Sequence, residues 1–182
     1  MEESAYAAQL LAGLFFVIAG ARLIRLSGRT GEAPERLLGL YFAFTGIAYV
    51  CWVLPLVAAL GSAADTTDVV AWVVYSIGVV PCLMFTRIVF RPTSRWPRWL
   101  ILGCVAALAL SATVLTLNGN HDPGLDDPFF WIQWLGYTVP CVWMTLEAGR
   151  CRRNTVRRAR IGLGDPIVMN RYLLLALFGG FQ

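Results

Sequence analysis

A chain of 182 residues that is 58% hydrophobic and only 14% charged, with a mean hydropathy of +0.63, lies far from the roughly 45–50% apolar and about 25% charged make-up of soluble domains. Its net charge of +4 comes from fifteen basic residues, all arginine, and one histidine is present. The arginines gather at the ends of apolar runs, the placement that orients membrane helices and meets anionic lipid, which argues against a nucleic-acid-binding patch.

The apolar runs are about twenty residues long, enough for a helix to cross a hydrocarbon layer of roughly 30 Å. The first span covers residues 5–26. Glu2 and Glu3 precede it and Arg22 and Arg25 stand at its far end, the reverse of a cleavable secretory signal, so it reads as a retained helix with the N-terminus outside. Residues 27–36 read as a loop broken by Gly28, Gly31 and Pro34. The second span is 37–60, followed by a short acidic turn over 61–68, and the third is 69–90. A basic, proline-punctuated loop over 91–98 leads to the fourth span, 99–117. An outer loop with His121, Asp122, Asp126 and Asp127 precedes the fifth span, 129–149, and a basic loop with Arg150, Arg152, Arg153, Arg157, Arg158 and Arg160 follows it. Residues 171–182 are too few to cross at 1.5 Å per residue, so the natural chain is expected to complete a sixth helix and to add a seventh.

This threading places all fifteen arginines on one side, and the positive-inside rule makes that side cytoplasmic. The expected fold is an all-α polytopic transmembrane bundle forming a single domain, with five complete spans. The arginine-only basic set, with abundant Ala, Gly, Leu, Val and Trp, suits a GC-rich bacterial genome, hence a bacterial inner membrane.

Several constellations bear on function. Trp72, Pro81, Cys82 and Thr86 of the third span repeat as Trp131, Pro140, Cys141 and Thr145 of the fifth. Proline removes a backbone donor and kinks a helix, so two kinks at equal depth either frame a cavity or a moving pair, or are the ordinary prolines and belt tryptophans of membrane helices. Arg87 and Glu147 stand at similar depth below those prolines. They read as an interhelical ion pair, or as two groups that snorkel to water, or Glu147 pairs with Arg150 one turn later on its own helix.

The polar groups expected inside the bundle are Gln9, Thr45, Tyr49, Tyr75, Ser76, Gln133 and Tyr137. Gly39 with Ala43, and Gly103 with Ala107 and Ser111, read as seams of close helix approach. Cys51, Cys82 and Cys141 offer soft-metal ligands without a metal-binding spacing, and the five cysteines are expected as free thiols packing as small apolar groups. The His121 loop offers carboxylates and one imidazole to a cation or a proton, or is simply a solvated turn. The basic stretch 150–160 either anchors to anionic lipid or docks a cytoplasmic signalling partner.

With Pro34-Glu35-Arg36-Leu37-Leu38-Gly39-Leu40 leading one helix and Asp165-Pro166-Ile167-Val168-Met169-Asn170-Arg171-Tyr172-Leu173 leading another, the chain resembles uncharacterised seven-helix proteins of bacterial inner membranes. More faintly it resembles the membrane input modules of bacterial signalling proteins. The resemblance implies architecture and carries over no functional residue. A zinc hydrolase would need several converging His or acidic ligands, a haem or quinone enzyme intramembrane His, and a retinal protein a Schiff-base lysine. No cofactor is therefore expected. The leading functional expectation is a sensory or signalling membrane module, and the alternative is a small-solute transporter built around Pro81 and Pro140.

Overall fold

The computed structural model describes residues 2–57, 64–117, 126–159 and 166–180, and among them there is no strand. In chain order the helices are α1 (Glu2–Thr30), α2 (Ala33–Val57), α3 (Ala64–Phe90), α4 (Trp96–Leu117), α5 (Pro128–Ala159) and α6 (Pro166–Gly180). Four stretches, Tyr6–Thr30, Ala33–Val53, Thr67–Phe90 and Trp96–Val114, are long and apolar enough to cross a membrane. The stretch expected as a fifth span is not among them. Gln133, Tyr137 and the tryptophans Trp131, Trp134 and Trp143 dilute the apolar part of α5, and arginines fill its last turns.

The polarity of the bundle is that of a protein solvated by hydrocarbon. Leu11, Phe15, Ile18, Leu102, Leu110, Leu135 and Leu174 are exposed, while Thr45, Thr86, Ser111, Gln133 and Glu147 are buried. Water would reward the opposite arrangement. Exposed Trp96 and Trp99 ring the start of α4, and exposed Trp131 and Trp134 the start of α5, the two levels at which interfacial aromatics sit.

The helix ends differ from the loop boundaries read in the sequence, for identifiable reasons. Helix α1 continues through Gly28 and stops at Gly31, which takes a positive φ of 75° and donates from its amide to the Ser27 carbonyl at 2.8 Å. That is the left-handed cap for which glycine is suited. Pro34 and Pro97 do not break structure but stand in the first turns of α2 and α4, where the missing N–H would have no helical partner anyway. The arginine-rich stretch after Gly149 is helical to Ala159, so the expected basic loop is largely an extension of α5. Arg160 lies outside the described residues, as do His121 and Asp122.

Helices α1 and α2 form an antiparallel hairpin closed on glycines. A Cβ on Gly20 would lie 2.6 Å from the Ala43 nitrogen and 2.7 Å from the Gly39 oxygen, and one on Gly46 would lie 2.6 Å from the Gly13 oxygen. The seam expected at Gly39 and Ala43 is present, and Gly13, Gly20 and Gly46 complete it. Of the seam expected on the fourth span, Ser111 is fully buried, but Gly103 faces open space. With Ser111, the buried face of α4 runs through Cys104 and Leu108, one position after Gly103 and Ala107. Leu108 packs where a side chain on Gly136 of α5 would stand.

The centre lies where α2, α3 and α5 meet, at Tyr41, Cys82, Phe85 and Met144, with Phe178 of α6 packed against it. Ring contacts from Phe178 to Phe16, Tyr41 and Phe42 tie α6 to α1 and α2 as well.

Gly20→Ala and Gly46→Ala should each destabilise the protein by about 1–3 kcal/mol, the range for overpacking a close contact. Gly103→Ala, with nothing in its way, should be neutral or slightly stabilising. Denaturant titration in detergent micelles measures both, and equal effects at all three positions would contradict the seam.

Candidate functional site

Two polar clusters join α3 to α5, one between the middle of α3 and the early turns of α5, the other between Arg91, just past the end of α3, and Glu147 in the second half of α5. In the first, Gln133 Nε2 donates to the Tyr137 hydroxyl at 3.0 Å, Tyr137 and Ser76 hydroxyls lie 2.8 Å apart, and Ser76 donates to the Trp72 carbonyl at 2.8 Å. Each hydroxyl carries one proton. Because Ser76 gives its proton to Trp72, Tyr137 must donate to Ser76 and accept from Gln133, so the chain has one direction.

Aromatic rings surround this chain. Trp72 stacks on Tyr137 with centroids 5.7 Å apart, Tyr137 meets Tyr75 at 4.7 Å, and Tyr75 and Trp72 both meet Trp52 of α2, at 5.9 and 5.0 Å. Tyr75, Gln133 and Tyr137, expected to face the bundle interior, are brought together here. Trp52 and Trp72 were not singled out as interior groups, although Trp52 lies one helical turn beyond Ala48, which is fully buried.

The repeated tryptophan–proline pattern meets unlike surroundings in the two helices. Trp72 is part of the interior ring set, whereas Trp131 is exposed and touches Phe130 and Trp134. Pro81 and Pro140 are both inside their helices, and Pro140 is fully buried. Thr86 donates back to the Cys82 carbonyl at 2.9 Å. Its counterpart Thr145 keeps a buried hydroxyl with no hydrogen-bond partner among the described residues, directly against Gly179 of α6. Between the two proline segments stands Tyr41, which is 1% exposed and whose hydroxyl lies 3.7 Å from Cys141 Sγ. Tyr41 was not singled out in the sequence, although it lies one turn before Thr45 on the same face of α2. All five cysteines are free, and no group of three metal-ligating side chains occurs among the described residues.

The second cluster is centred on Glu147, whose side chain is 5% exposed. Its Oε1 accepts from Arg91 Nε at 2.9 Å and from Arg150 at 3.4 Å. Of the two partners the sequence offers, Arg150 on the same helix holds it and Arg87 does not. Arg87 Nε is buried and has no hydrogen-bond partner among the described residues, and the interhelical bond comes from Arg91, one turn farther along the chain. The Arg87–Glu147 pairing is therefore replaced by Arg91–Glu147, with the local Arg150 contact present beside it.

One turn after Glu147, Cys151 is half-buried. Burial pushes its thiol above the ordinary range, the Glu147 carboxylate adds to that, and Arg91 opposes it. Beyond this point Arg152 keeps a buried Nε without a hydrogen-bond partner among the described residues, and Arg153, Arg157 and Arg158 are exposed on the α5 extension.

The buried carboxylate is tolerable because two guanidinium groups share it. Stripping one partner from a buried pair typically costs about 3–5 kcal/mol, less where water reaches the group, as it does at Arg91. A double-mutant cycle on Arg91→Ala and Glu147→Ala should show a coupling of about 1–2 kcal/mol, within the usual range for contacting residues. The cycle on Arg87→Ala and Glu147→Ala should be additive. Coupling to Arg87 instead of Arg91, read from unfolding in micelles, would refute the assignment.

Compared with protein-family models, with curated proteins and with solved structures, the chain gives no significant match.

Proposed function

We propose that the protein is a sensory or signalling module of a bacterial inner membrane, with α5 as a fifth crossing, the N-terminus outside and the arginine-bearing helix ends in the cytoplasm. The observation that carries the signalling reading is the continuity of α5. One uninterrupted helix of 32 residues links the Gln133–Tyr137–Ser76 chain, the buried Pro140, the Glu147 clamp and a cationic extension. Tyr137 and Cys151 are fourteen residues apart, roughly 21 Å along the axis at 1.5 Å per residue. A change in the packing of the interior rings shifts α5 against α3, and the arginines of its extension carry that shift to a cytoplasmic partner.

The alternative, transport around the two prolines, is the weaker reading. It needs space beside them, and Tyr41, Leu83 and Met144, all essentially inaccessible, occupy the neighbouring core.

The coupling is tested by hydrogen exchange of purified protein in nanodiscs. Tyr137→Phe removes the hydroxyl at the centre of the chain, and it should change the exchange rates of amides 150–159 by several-fold while leaving α1 and α2 unaffected. Unchanged rates in that segment would reject the coupling, and substrate-dependent uptake into vesicles would support transport instead.

The orientation has its own test. In intact cells a membrane-impermeant thiol reagent should leave Cys151 unlabelled, and in permeabilised cells it should label it, with peptide mass spectrometry identifying the site. Labelling of Cys151 in intact cells would reverse the topology.

A further inference from the structure

Helix α1 carries two opposed faces. At about 100° per residue, Gly13 and Gly20, which touch α2, lie roughly opposite Leu11, Phe15, Ile18, Arg22, Arg25 and Arg29. The three apolar members of that second face are strongly exposed, Phe15 to 66%. The three arginines are exposed too, and none takes part in the ion pairs among the described residues. Together with Leu23 and Leu26 they line a recess of about 470 Å³.

Apolar and cationic parts follow one another along a single stripe. From Leu11 to Arg22 is eleven residues, roughly 16 Å of helix, which is about half of a 30 Å hydrocarbon layer and so the depth of one leaflet. The cationic part, from Arg22 to Arg29, extends roughly 10 Å farther, into the headgroup region. Arginine side chains offer fork-shaped donor sets that match phosphate oxygens two at a time.

We propose that this face of α1 is a binding site for an anionic phospholipid, with the phosphate held by Arg22, Arg25 and Arg29 and the acyl chains lying along Phe15, Ile18 and Leu11. The site is separate from the cationic extension of α5, and it rests on the membrane-spanning reading of α1. The matched length of the two parts selects a lipid over a free anion, because only a lipid fills both.

The test is native mass spectrometry of the protein released from micelles containing either phosphatidylglycerol or phosphatidylcholine. The wild-type protein should retain phosphatidylglycerol and not phosphatidylcholine. The variant Arg22→Gln, Arg25→Gln, Arg29→Gln should lose at least ten-fold in apparent affinity. A variant with the same loss of charge on α5, Arg153→Gln, Arg157→Gln, Arg158→Gln, should bind as wild type does.

Equal losses in the two variants would reduce the effect to net charge and overturn the site, as would displacement of the lipid by inorganic phosphate or no selective retention by the wild type. Retention of the protein in membranes washed with alkaline carbonate is scored separately. A failed lipid site in a protein that stays in the membrane is thus distinguished from a failed membrane reading.

Discussion

A helix in hydrocarbon gains nothing from hiding a leucine, because lipid tails are as apolar as the side chain. Cohesion in such a bundle must come from places where backbones approach closely or polar groups find each other. The hairpin of α1 and α2 is the first kind. Gly13 faces Gly46 and Gly20 faces Gly39, two pairs seven residues apart in each helix, so the contact repeats after two turns on the same face. Gly136 of α5 and Gly179 of α6 serve the same purpose, the first admitting Leu108 from α4 and the second letting α6 approach Cys141 and Thr145 of α5.

Polar contacts supply the rest, and they concentrate on α5. The buried side of that helix carries Gln133, Pro140, Cys141, Trp143, Met144 and Glu147, and of these Gln133 and Glu147 are the groups costly to leave in lipid. Gln133 and Glu147 find their partners within the bundle, through Tyr137 in one case and through Arg91 and Arg150 in the other. The same features lower the apolar content of α5 below that of the other long helices. A helix surrounded by neighbours can afford such residues, whereas α1, most of whose apolar core faces outward, cannot.

The helices and their approximate limits were legible because hydrocarbon thickness imposes a length and arginine marks the ends. The exact ends were not, since Pro34 and Pro97 look like breakers in a sequence yet are favourable at the start of a helix. Hydropathy also falls at Arg150, although arginine is a good helix former, so α5 continues where the apolar signal stops. The interior polar set was largely legible: Thr45, Ser76, Gln133 and Tyr137 had no reason to face lipid. Which face each helix turns inward was harder to read. Gly103 and Ala107 have the right spacing for a seam, but the buried face of α4 begins one residue later, at Cys104. Trp72 and Trp131 match in sequence and diverge in space because spacing within a helix says nothing about its rotation.

The interhelical partner of Glu147 is Arg91 rather than Arg87 for the same reason, and it shows how α3 and α5 are held. Ser76 meets Tyr137 and Arg91 meets Glu147, so the two helices run parallel. Arg91 lies fifteen positions after Ser76, just past the end of α3, and Glu147 ten positions after Tyr137 in α5, roughly 22 and 15 Å of rise at 1.5 Å per residue. Equal depth would have chosen Arg87, eleven residues beyond Ser76. Arg91 is chosen because its long stem reaches back toward the bundle while its backbone stays at the helix end. An arginine side chain spans roughly the 7 Å of difference implied by that helical rise. The guanidinium thus connects two helices at different levels without drawing the α3 backbone deeper, and the carboxylate stays buried although the helix ends are staggered.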